Sequence, residues 1–123
     1  MVIDSSLFIE HLRAKDRAKT TLFQLPKTVP LFVSTVTVFE LFSGATNVNK
    51  LAEVELILSG VSLLPFLDDE ARKATEIFRH LQATGQIIEF RDIFIAATAL
   101  VHLMPVKTLN VRHFSRVPGL VLA

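Results

Sequence analysis

Residues 1–10 read MVIDSSLFIE, and the fold turns on how Asp4 is read. Val2 and Ile3 are residues of a buried strand, yet Asp4 follows at once, then Ser5 and Ser6, then the apolar run Leu7, Phe8, Ile9. The pattern predicts a strand over residues 1–4 that passes directly into a helix from about Ser6 through Arg13. A carboxylate at that junction lies at the carboxyl end of the strand, on the rim of the core.

The rest of the chain repeats the alternation. A second helix is expected from about Ala14 to Leu25, closed by Pro26, and LFVS (31–34) is a second strand. TVTVFELFSGA continues as a helix that stops or kinks at Gly44, and residues 47–59 carry Val48, Leu51, Val54 and Leu58 at helical spacing. VSLLPFL (61–67) is a strand whose Pro65 calls for an edge position or a late bend. Residues 68–85 form an amphipathic helix with acids in its first turn and Gly85 past its end. Residues 92–103 are the most apolar helix, 105–109 a strand and 120–122 a short last strand. Strands alternating with helices predict a three-layer α/β/α fold around a parallel sheet of about four or five strands.

Composition narrows the function classes. The 123 residues amount to one domain, 1–123, long enough to bury a core without disulfides or a structural metal. Half the residues are hydrophobic and the mean hydropathy is +0.47, which implies apolar surface covered by a partner or a second copy. The most apolar run is too short and interrupted to span a bilayer, and Asp4 and Glu10 stand where a signal peptide would be basic and apolar, so a cytoplasmic protein is expected. With no cysteine there is no thiolate nucleophile or zinc-thiolate site. His11, His80, His102 and His113 show no pair at ligand spacing and read as scattered surface or interface residues. A net charge of +1 excludes nucleic-acid binding through a general basic surface, though not a local basic rim.

In an open parallel sheet, functional groups gather beyond the carboxyl ends of the strands. Asp4 is one such group. Glu40 lies about a turn and a half into the helix after the second strand, Asp92 opens the helix before the fourth, and Asn110 follows that strand. Plainer readings exist: Asp4 as a helix cap worth ~1 kcal/mol, Asp92 as a first-turn acid favoured by the helix dipole, Asn110 as a turn residue. Glu40 resists one, because VTVFELF surrounds it with apolar residues and no Lys or Arg lies within a helical turn, the nearest being Lys50. His11, Arg13 or Arg112 could reach it in space. A bound cation is the alternative partner, and three carboxylates without soft ligands point to Mg2+ or Mn2+. Such a site is suited to hydrolysing a phosphodiester.

VIDSSLFIEHLR, STVTVFELFSG, FRDIFIAATAL and TLNVRHFSRVPGL, in that order, resemble the PIN domain, and within it the VapC-type toxin ribonucleases of bacterial toxin-antitoxin pairs. The resemblance spans nearly the whole chain. It implies an endoribonuclease whose acids are Asp4, Glu40 and Asp92, holding the metal, with a fourth catalytic corner at Asn110, where Asp is common in the family. Asparagine there keeps an oxygen but removes a charge. Ser6 stands where the family often has Asn and is the expected water- or substrate-positioning residue. The resemblance further implies a homodimer, an antitoxin protein laid across the acidic groove, an RNA substrate, and cleavage to a 5'-phosphate and a 3'-hydroxyl.

Other classes fit less well. A phosphatase wants a second acid two residues beyond Asp4, where Ser6 stands, and a receiver domain wants paired acids near the first strand. Asp68 and Asp69 read as a helix cap. A non-catalytic PIN-like protein-binding module is the remaining alternative, with the acids serving only as caps. Arg13, Lys15, Arg17 and Lys19 read as a solvated helix face, while Lys107, Arg112 and Arg116 flank Asn110, and Arg112 is the expected phosphate contact. Phe114 reads as core, with a base-stacking surface beside Asn110 as the alternative.

Overall fold

The computed structural model describes residues 1–123. Four parallel strands, β1 (Val2–Ile3), β2 (Phe32–Ser34), β3 (Ser62–Leu64) and β4 (Val106–Lys107), form a sheet in the order β3-β2-β1-β4. Val2 is in register with Phe32 on one side and Val106 on the other. Leu122 adds a single parallel bridge to Val106, so the expected fifth strand is reduced to one bridge at the β4 edge. β3 is the opposite edge and ends just before Pro65, where a residue without an N–H costs the sheet nothing.

Side chains alternate across the sheet and divide the core in two. Val2, Leu64 and Val106 face α4 (Asp68–Ala83) and α5 (Phe90–Val101), with Ile77, Leu81, Ile93 and Ile95 in one cluster. Ile3 and Val33 face the other way, with Leu7 and Phe8 of α1 (Ser5–Arg13), Leu41 of α2 (Thr35–Ser43) and Val54 of α3 (Val48–Leu58). These are the three layers of the α/β/α fold. Gly85, just beyond α4, has a φ of +66°, the left-handed conformation that glycine adopts without strain.

The helix expected over residues 14–25 does not form. Ala14 is extended, and only a single 3-10 turn, Arg17–Lys19, follows. Local side chains take the backbone groups a helix would have used: Asp16 accepts from Ala18 N, Glu10 Oε1 accepts from Thr21 N at 2.6 Å, and Thr20 Oγ1 donates to the Arg17 carbonyl. The basic residues there share no helix face, and Arg17 pairs with Glu53 at 3.2 Å. At the other end of the chain, a one-turn helix α6 (Val111–Phe114) that the sequence pattern did not announce follows β4, and Phe114 is fully buried.

Candidate active site

Because every strand is parallel, β1 and β4 end on the same side of the sheet and the chain turns there into α1 and α6. Asp4 sits at the first of these turns, 2% exposed. It occupies the N-cap position of α1 but makes no side-chain cap bond, so the capping role is not the one its carboxylate performs. Three hydroxyls converge on it instead: Ser6 Oγ donates to Oδ2 at 2.7 Å, Thr108 Oγ1 to the same oxygen at 2.8 Å, and Ser5 Oγ to Oδ1 at 3.3 Å. Ser6 also accepts from Leu109 N at 3.1 Å, and Thr108 from Asn110 N at 2.9 Å. The hydroxyls therefore stitch the end of β1 to the loop after β4, and the Ser6 hydroxyl is committed to Asp4.

Glu40 approaches from α2. Its side chain is 11% exposed; Oε2 lies 3.4 Å from Ser5 Oγ and 3.3 Å from Arg91 Nη1, while Oε1 is buried with no hydrogen-bond partner. The cation beside Glu40 is thus Arg91, not Lys50, His11, Arg13 or Arg112, and it comes from α5, far along the chain. Asp92, 6% exposed, lies 3.5 Å by Oδ2 from His113 Nδ1, which in turn is 2.8 Å from Asn110 Nδ2. Asn110 reaches the acids only through others: its amide through His113 to Asp92, its backbone through Thr108 to Asp4.

Electrostatics ties the acids into one unit. Burial raises the pKa of Glu40, the Arg91 charge works against that rise, and Asp4 and Asp92 add to it. Burial likewise raises Asp92, with the Asp4 charge next, opposed by His113 and Arg91. The Asp4 charge thus bears on both Glu40 and Asp92, and the Asp92 charge on Glu40.

The structure brings Asp4, Glu40, Asp92 and Asn110 to one edge. Arg112, exposed on α6, makes no ion pair, whereas Lys107 turns to the Ala123 carbonyl and Arg116 to that of Ile87. Sequence reasoning missed Ser5, Thr108, Arg91 and His113. Three of them neighbour a residue that was singled out, and the fourth lies on the unforeseen α6. The remaining histidines serve elsewhere: His11 bonds Thr20, His102 lies 3.2 Å from Glu70, and His80 is exposed.

No three acids and imidazoles are close enough together to form a closed coordination shell. A magnesium-type ion does not require one, since it keeps several waters and takes one or two carboxylates directly. An orphaned carboxylate oxygen on Glu40 and two acids whose ionised forms are disfavoured by burial and by the Asp4 charge are what a cation would relieve, so the residues present fit such an ion.

Comparison with known proteins points the same way. Residues 1–120 match the PIN domain family. The chain is 33% identical to Ribonuclease VapC10 of Mycobacterium tuberculosis, over 93% of this chain and 85% of that protein. It is 32% identical to Ribonuclease VapC1 of Rickettsia felis, over 98% of this chain and 92% of that one. Among solved structures, DNA-bound VapBC from Salmonella typhimurium superposes with a TM-score of 0.87 at 26% identity, covering 99% of this chain and 95% of that chain. VapBC2 from Rickettsia felis, bound to a promoter DNA fragment, gives 0.87 at 20% identity, covering 99% and 96%.

Proposed function

The chain belongs to the PIN domain family, alongside the VapC ribonucleases, and from that premise we propose that it is a metal-dependent endoribonuclease acting as the toxin of a toxin-antitoxin pair. The observation that carries the reading is Asp4: a buried carboxylate that leaves its helix uncapped, is held by three hydroxyls, and faces two further acids.

Asp4, Glu40 and Asp92 are the residues that would hold Mg2+ or Mn2+. When bound, that ion supplies an activated water and neutralises charge on the phosphate. The protein's own part is positioning. Ser5, Ser6 and Thr108 fix the Asp4 oxygens, so its orientation is set before any ligand arrives. His113 Nδ1 lies between the Asp92 carboxylate and the Asn110 amide, donating to the first when protonated and accepting from the second when not, so Asn110 serves as an orienting group at the fourth corner. Arg112, exposed on α6 next to Asn110 in sequence, is the candidate contact to an RNA phosphate. Cleavage yields a 5'-phosphate and a 3'-hydroxyl.

We further propose a homodimer, acting in the cytoplasm and neutralised by a cognate antitoxin across the acidic edge; the likeness to the solved VapBC structures supports the antitoxin partner. No helix of the chain is long and apolar enough to cross a membrane.

The test is Asp4→Asn. Asparagine keeps the volume and exchanges hydrogen bonds with the same hydroxyls but carries no charge for a cation. Manganese-supported RNA cleavage falls at least ~100-fold while the melting temperature of the metal-free protein is kept. Cleavage within a few-fold of wild type by a folded variant would refute the assignment.

A further inference from the structure

Arg91 is the one guanidinium inside the acidic cluster. Its Nη1 is 3.3 Å from Glu40 Oε2 and its Nε 2.8 Å from Glu89 Oε2, so the guanidinium lies between two acids. It immediately precedes Asp92 in the first turn of α5, and its charge bears on both Glu40 and Asp92. The Arg91 side chain is 55% exposed and open to a ligand, whereas Glu40 is 11% exposed. An ion pair between two solvated groups contributes little. A guanidinium set against a desolvated carboxylate, on a side chain that is itself half-exposed, is arranged to do more than hold the fold.

The charges state what that is. Asp4, Glu40, Asp92 and Glu89 bring four negative charges and Arg91 removes one, so a single divalent ion leaves the cluster at about −1. A second divalent ion would have to sit beside the Arg91 guanidinium and turn the cluster positive before any phosphate arrives, which like-charge repulsion opposes. Resting on the nuclease reading above, we propose that Arg91 does the work of a second metal ion: it compensates Glu40 and presents its guanidinium to a non-bridging oxygen of the RNA phosphate, so that each chain functions with one ion. Fixed donors aimed at a phosphate oxygen are a recognised substitute for a cation at that position.

Calorimetry with manganese on the metal-free protein tests this, paired with cleavage of purified cellular RNA across a manganese series. Wild type takes up one ion per chain and its cleavage rate rises with first-order dependence on manganese. Arg91→Met takes up two, its cleavage is ~10- to 100-fold slower at low manganese, and the rate recovers at high manganese with second-order dependence. Arg91→Lys, which keeps the charge, retains the wild-type stoichiometry. Arg91 is half-exposed, so a melting curve suffices to show that the variants fold. One ion per chain in Arg91→Met, with an unchanged manganese dependence, would overturn the role of Arg91 and leave the nuclease reading standing. No manganese uptake by folded wild type would overturn both.

Discussion

At the scale of single residues, Glu40 shows most plainly that the site is built at a cost to the fold. Burial lifts its pKa above the ordinary 4.5 despite Arg91. A carboxyl whose folded pKa is raised adds stability below its unfolded pKa and loses that stability as pH climbs through the folded value. At neutral pH the ionised group therefore burdens the metal-free protein. Glu40→Gln should then melt a few degrees higher than wild type at pH ~7, and the gain should fade as the pH falls toward ~4. A lower melting temperature at neutral pH would mean that Arg91 outweighs desolvation. Asp4, Glu40 and Asp92 were all visible in the sequence, because an acid among apolar residues or at a strand end calls for a reason. Arg91 and His113 were not: what makes them matter is proximity to Glu40 and to Asp92 across the fold, and no local pattern encodes it.

At the scale of elements, the alternation of strands and helices was legible because each strand is a short apolar run and each helix has its own stop. The stretch from Ala14 to Leu25 was misread for a physical reason. Its helix-forming composition is overridden by side chains that bond the backbone, chiefly around Thr20, which is 3% exposed, donates to the Arg17 carbonyl and accepts from His11 Nδ1 at 2.8 Å. Thr20→Val should cost ~1–2 kcal/mol in urea denaturation, because it leaves the His11 donor unpaired. The segment also has a pH dependence. Burial first, then the Arg17 charge, lowers the His11 pKa from 6.5, so its contribution is present above that value and is lost as pH falls through the lower folded one. Amide protection factors in residues 14–25, referred to the intrinsic exchange rate at each pH, should fall as the pH drops below 6.5, ahead of those of the sheet. An equal loss of protection throughout would show that His11 does not govern this segment. The one-turn α6 was illegible because four residues set no periodicity.

At the scale of the whole molecule, apolar surface remains uncovered: Phe39 is 72% exposed, Leu67 62% and Phe90 61%. The hydropathy of the sequence anticipated this surplus, though not where it lies, which only the packing decides. A homodimer should be seen by light scattering at micromolar concentration, and a monomer there would count against the assembly proposed above. The hydroxyl stitch from Thr108 to Asp4 has a further consequence, one for biosynthesis. Its two ends are 104 residues apart in sequence, and β1 finds β4 only across nearly the same distance. Contacts so remote form late and slowly. On the ribosome, the first strand and its aspartate emerge well before the threonine that orients them, so a partly made chain has acids but no assembled site. The assembled acidic edge therefore exists only after Thr108 has left the ribosome and docked on Asp4.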